Sequence, residues 1–317
     1  MEKRLYKFDN IKTILIFLVV FGHLLELTKG CELLYLTIYS FHMPLFMFVT
    51  GYFARFDRKH IIYHMVCPYL VFQVLYTCFE INVLGSQKLT LTFARPYWIL
   101  WYLFAIIVYY FLIPFFDVKS KKGKILIFVG SVIIALLSGY DTKLGYTFAA
   151  ARIINFMPFF LAGFYVKKGQ TFSRLMDIKN DARYFICFAC AVLIITGIVL
   201  ILDQGIIAAN MLYGSCSYEL AHYNIWIKLL IDMIAFVWIA ILLVLVPNKK
   251  VPLFSQIGRY TMPVFLFHGF VVKLIERYVE ERGSDLTVYW ALLISVILLL
   301  LLGNRYVNKL FSCKNKH

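Results

Sequence analysis

Eight polar or ionisable residues stand inside otherwise apolar runs of this 317-residue chain: Lys12, His23, Glu26, His42, Arg152, Asn155, Asp232 and His268. Such residues are costly in an apolar setting, so each is a candidate for function. Lys12 and His23 are eleven residues apart. On one helix that is about 16 Å along the axis and close to three full turns, so both face the same way. A cation at one end of a stripe and an imidazole at the other suits a long anionic cofactor, its phosphates on Lys12 and its reactive end at His23. A second reading fits the same spacing. Lys12 would then snorkel to the headgroup region, and His23 would be a hydrogen-bonded core residue. A neutral imidazole is suited to take a hydroxyl proton near neutral pH. Glu26 follows His23 by three residues on nearly the same face and could orient the ring. Nucleophilic attack by the imidazole itself is the other mechanism open to His23. His42 precedes Pro44 and has three readings: polarising an electrophile, binding a substrate, or satisfying backbone freed by the proline. Arg152 has no acidic partner on its own helix and suits an oxyanion. Asp232 has Lys228 four residues before it and reads as an ion pair.

The elements that carry these residues follow from composition. The chain is 62% hydrophobic and 15% charged, against about 45–50% and about 25% in soluble proteins, and its mean hydropathy is +0.79. This excludes an ordinary soluble enzyme, a disordered chain and a secreted disulfide scaffold. The expected fold is an all-α polytopic membrane protein forming one domain over residues 1–317, without a separate soluble domain. Ten apolar segments are expected to span, at about 8–28, 34–54, 61–84, 97–116, 124–140, 146–166, 183–202, 225–246, 257–276 and 287–307. The first run lacks a small-residue cleavage site and reads as a retained helix. The net charge of +15 belongs to loop bases rather than to a nucleic-acid partner. With both termini cytoplasmic, 22 of the 32 Lys and Arg fall in inner segments, six in outer segments and four within spans, as the positive-inside rule requires. This topology puts His23, His42 and Arg152 in the outer half of the bilayer and His268 near its middle. Seven Cys without zinc-ligand spacing read as small core residues, and no metal site is expected. Asp9 reads as the cap of the first helix.

FDNIKTILIFLVVFGHLLE, with Lys12 and His23 in a basic-x10-His register, resembles the opening of the integral-membrane acyltransferase 3 family. SFHMPLFMFVTGYF, WYL at 101–103, RIINFMPFFLAGFYVKK at 152–168 and IGRYTMPVFLFHG at 257–269 resemble later blocks of that family in the same order. The fucose O-acetylase-like and capsular polysaccharide O-acetyltransferase branch is the most similar. Lys stands at position 12 where Arg is commoner. The resemblance implies transfer of an acyl group, usually acetyl, from cytoplasmic acetyl-CoA to a sugar hydroxyl of a surface polysaccharide or lipid-linked glycan. It places the protein in a bacterial plasma membrane. His23, His42, Glu26 and Arg152 are the expected catalytic residues. Lys12, Arg55, Arg58 and Lys59 are the expected CoA-phosphate contacts. His268, Trp101 and Asn155 are the expected substrate contacts, although Trp98, Trp101 and Tyr102 also read as an interfacial aromatic belt. A transporter or flippase for a glycan, using the same polar residues without chemistry, is the competing class. An acyltransferase acting on a lipid or on peptidoglycan is a third.

Overall fold

The computed structural model describes residues 5–86, 91–145, 147–168, 186–187, 189–195, 197 and 208–309. Among these the regular structure is entirely helical. The helices in chain order are α1 (Tyr6–Leu25), α2 (Glu32–Tyr39), α3 (His42–Phe53), α4 (Arg58–Ile61), α5 (Cys67–Asn82), α6 (Trp101–Phe116), α7 (Lys121–Ser138), α8 (Ala150–Lys168), α9 (Ala209–Leu212), α10 (Ile225–Leu245), α11 (Pro252–Ile257), α12 (Thr261–Arg282), α13 (Val288–Leu302) and α14 (Arg305–Lys309).

Among the described residues six helical stretches are long and apolar enough to cross a membrane: Tyr6–Leu25, Glu32–Phe53, Arg58–Asn82, Trp98–Phe116, Thr147–Lys167 and Ile225–Leu245. They coincide with the first, second, third, fourth, sixth and eighth expected segments. The fifth is α7, which opens on Lys121, Lys122 and Lys124, and the ninth is α12, whose last turns are charged. The tenth is the shorter apolar α13. Half of the seventh, 183–202, lies outside the described residues. Two spans are interrupted where proline removes a backbone donor. The second breaks between Tyr39 and His42, just before Pro44, and the third passes through a π-turn at Ile62–Val66 before Pro68.

The chain divides into two compact units. The first comprises Met1–Tyr35, Lys59–Phe104 and Pro247–His317. Its central element is α1, which packs on α11, α12 and α13. The face of α1 that bears Phe8, Leu15, Ile16, Val20 and Leu24 is fully buried, as an apolar face packed into a bundle should be. Its first turns are clamped to the segment 247–259 by polar side chains. Asn10 donates to the carbonyls of Pro247 (3.1 Å) and Lys249 (3.0 Å) and accepts from Ser255 Oγ (2.7 Å). Thr13 donates to the Phe254 carbonyl at 2.6 Å. A Cβ on Gly258 would overlap the carbonyl of Asp9, so only glycine allows this approach. At the other end, Leu286 N–H donates to the Leu27 carbonyl (2.9 Å), and Lys29 pairs with Asp285 (2.7 Å).

The second unit comprises Leu36–Arg58 and Ala105–Val246. Its closest crossing is α3 on α8. A Cβ on Gly51 would overlap the Phe160 carbonyl, and one on Gly163 would overlap the Phe48 carbonyl and the Tyr52 nitrogen. Small residues on both helices let the backbones meet, as in membrane helix pairs. On α10, Lys228 Nζ reaches both oxygens of Asp232 at 2.5 and 2.6 Å, with both side chains largely buried, as the i,i+4 spacing predicted.

Candidate active site

In the first unit, α1 delivers His23 in its last turn and ends on Glu26. His23 Nδ1 lies 3.4 Å from Glu26 Oε1, and Tyr35 Oη donates to the same oxygen at 3.1 Å. A carboxylate accepts only, so in the neutral ring Nδ1 carries the proton and Nε2 presents the lone pair. That is the geometry of a base held by an orienting acid. The His23 ring is 4.5 Å from the Trp98 ring and stacks at 5.7 Å on His268. The His23 side chain is 17% exposed and Glu26 34%, so the pair is partly accessible.

His268 is placed by α12 and is fully buried. Its Nδ1 faces the carbonyls of Val264 (3.0 Å) and Phe265 (2.8 Å), and must donate to them. Its Nε2 is buried without a hydrogen-bond partner among the described residues. Gly269 follows, and a Cβ there would overlap the Tyr76 hydroxyl, which donates to the Leu266 carbonyl at 2.8 Å. Tyr76 stacks on Phe270 (4.1 Å) and Tyr97 (4.7 Å). The Tyr97 phenol donates to Glu80 at 2.6 Å. The indole against His23 is Trp98, whose ring also carries the Lys273 ammonium at 4.9 Å. Trp101 packs against Tyr102 at 6.1 Å.

In the second unit, His42 opens α3 and is 3% exposed. Its Nδ1 donates to the Ile38 carbonyl at 2.9 Å, across the break before Pro44, and Tyr39 meets the ring edge-on at 4.7 Å. The helix α8 carries Arg152 and Asn155. Arg152 Nε donates to the Tyr213 carbonyl (3.3 Å), while Asn155 Nδ2 donates to the carbonyls of Gly214 (3.3 Å) and Ala151 (2.9 Å). Both therefore hold a turn in which Gly214 takes a φ of +63°. Tyr213 meets Tyr39 at 5.6 Å, which links this turn to the His42 neighbourhood.

The predicted phosphate contacts are divided. Arg55 and Arg58 belong to the second unit, Lys12 and Lys59 to the first; Arg55, Arg58 and Lys59 are exposed. Lys12 Nζ is 3.2 Å from Asp9 Oδ1, and Arg259 Nε is 3.8 Å from Asp9 Oδ2. Asp9 is thus no cap. The helix starts at Tyr6 after Leu5, so Asp9 falls within its first turn and turns its carboxylate to two cations. Arg259, counted in the sequence only as a loop base, is the residue that sequence reasoning missed here; its place in the IGRY block was the available signal. Among the described residues no group of three or more His, Cys, Asp or Glu could hold a metal ion.

Residues 5–304 match a family described as an acyltransferase domain, and the chain belongs to that family. It is similar to the nodulation protein NolL of Sinorhizobium fredii (strain NBRC 101917 / NGR234), at 28% identity over 211 residues. The match covers 58% of this chain and 54% of NolL, so it spans about half the length of that curated relative. No solved structure matches the chain.

Proposed function

We propose that the protein is a membrane-bound, acyl-CoA-dependent O-acetyltransferase. It moves an acetyl group from cytoplasmic acetyl-CoA to a sugar hydroxyl of an extracytoplasmic polysaccharide or its lipid-linked precursor, with His23 as general base. Membership of the acyltransferase family supports group transfer. The distribution of basic residues supports cytoplasmic termini, and the similarity to a Sinorhizobium fredii protein supports a bacterial plasma membrane. The observation that carries the mechanism is the pairing of His23 Nδ1 with Glu26, because it leaves Nε2 as the proton acceptor.

In the proposed step the sugar hydroxyl proton passes to His23 Nε2 as the oxygen attacks the thioester carbonyl carbon. The tetrahedral intermediate collapses with cleavage of the C–S bond. The imidazolium returns the proton to the departing thiolate, giving an acetyl ester and free CoA. Glu26 keeps the ring in the correct tautomer and favours its cationic form during transfer. Mass spectrometry of surface glycans from cells with and without the protein tests the assignment. The glycan should lose the mass of one acetyl group when the gene is removed. An unchanged acetylation pattern, or transport of glycan across liposomes without release of CoA, would contradict it.

A further inference from the structure

We propose that Arg259, joined to Lys12 through Asp9, forms a site for a phosphate group of the acyl donor. The proposal rests on the acyl-CoA reading above and adds a residue to it. Lys12 alone was expected to meet the donor from α1. The structure gives it a fixed cationic neighbour, with the Asp9 carboxylate standing between Lys12 Nζ at 3.2 Å and Arg259 Nε at 3.8 Å. Two cations thus stand against one carboxylate. Moreover, 3.8 Å is too long for a hydrogen bond, so the flat donor fork of the guanidinium is not spent on Asp9.

The arrangement is built rather than adventitious. Asp9 is 7% exposed at its side chain, whereas Lys12 is 25% exposed and Arg259 33%. The acid is buried and the cations reach outward. Arg259 follows Gly258, which only a missing side chain allows to lie against Asp9, and the preceding turn is tied to α1 by Thr13 and Asn10. The guanidinium is thereby held at a set place relative to Lys12. Two exposed lysines, Lys249 and Lys250, precede it in the same connecting segment. A planar fork beside a point charge matches a phosphate dianion, and arginine is favoured for that bidentate geometry. In the free protein Asp9 occupies the place of the anion and keeps two like charges together. A bound phosphate then competes with Asp9 for both.

A lipid headgroup offers the same phosphate chemistry, and the test separates the two sources. CoA binding to the full-length protein is measured by calorimetry, in nanodiscs of neutral phosphatidylcholine and in nanodiscs containing anionic phosphatidylglycerol. Arg259→Gln is expected to weaken CoA about tenfold or more, and Arg259→Lys to fall between it and wild type. Asp9→Asn is expected to act in the opposite sense and tighten CoA, because it releases both cations; a merely structural ion pair would not produce that sign. This variant carries the test should Arg259→Gln fail to fold. CoA affinity equal to wild type in Arg259→Gln, or unchanged or weaker affinity in Asp9→Asn, overturns the site. Loss of wild-type CoA binding on adding phosphatidylglycerol, absent in Arg259→Gln, assigns the phosphate to lipid and also overturns it. A wild type that binds no CoA in either lipid removes the acyl-CoA reading itself.

Discussion

His23 and His42 are both imidazoles in apolar helices, one in each unit, and their Nδ1 atoms are used differently. That of His23 faces the side-chain carboxylate of Glu26 at 3.4 Å, with Tyr35 on the same oxygen. That of His42 is bonded at 2.9 Å to the main-chain carbonyl of Ile38, where the helix breaks before Pro44. A carboxylate partner carries a charge opposite to that of an imidazolium. A carbonyl partner needs only a donor. The contrast separates the two histidines by what Nδ1 faces, a charged side chain or the main chain, and not by depth in the span. Arg152 and Asn155 resemble His42 in this respect, since both reach main-chain carbonyls of one turn.

Variants can break or sharpen this contrast. His23→Gln should lower turnover by about 10²–10⁴-fold, the usual contribution of a general base, with little change in melting temperature; equal turnover would erase the distinction. Gly163→Val acts on the other unit through packing alone. Its side chain would run into the Phe48 carbonyl, and denaturation should show a loss of about 3 kcal/mol. His42→Phe leaves the Ile38 carbonyl without that donor. The expected cost is about 1–3 kcal/mol of stability, while turnover per folded molecule falls far less than in His23→Gln. Glu26→Gln keeps the shape but not the charge, and a decrease in kcat of roughly tenfold at unchanged stability is expected. Tyr35→Phe removes one donor to Glu26 and should have the smallest effect, a few-fold in kcat, corresponding to about 1 kcal/mol.

Much of this was legible where partners are local. His23 with Glu26, and Lys228 with Asp232, lie within one turn, and helical spacing alone brings each pair together. Apolar runs likewise located the six stretches long enough to span. Other features depend on contacts between distant parts of the chain. The stacking of His268 on His23 and the choice of Trp98 rather than Trp101 as the neighbouring indole are of this kind. Asp9 was read as a cap because it stands before an apolar run, yet the helix begins a turn earlier, at Tyr6. Arg259 was absorbed by the topology count, since a loop base satisfies the positive-inside rule wherever its side chain points. Cys67 and Cys78, read as core residues, are exposed on α5, because an apolar helix face that meets lipid has the same composition as one that meets protein.

The most direct test follows free CoA, by thiol trapping, from purified protein supplied with acetyl-CoA and an acceptor glycan. The account predicts acceptor-dependent release of CoA by the wild-type protein and loss of that release in His23→Gln that retains the wild-type melting temperature. Acceptor-dependent release at the same rate in both proteins would contradict it.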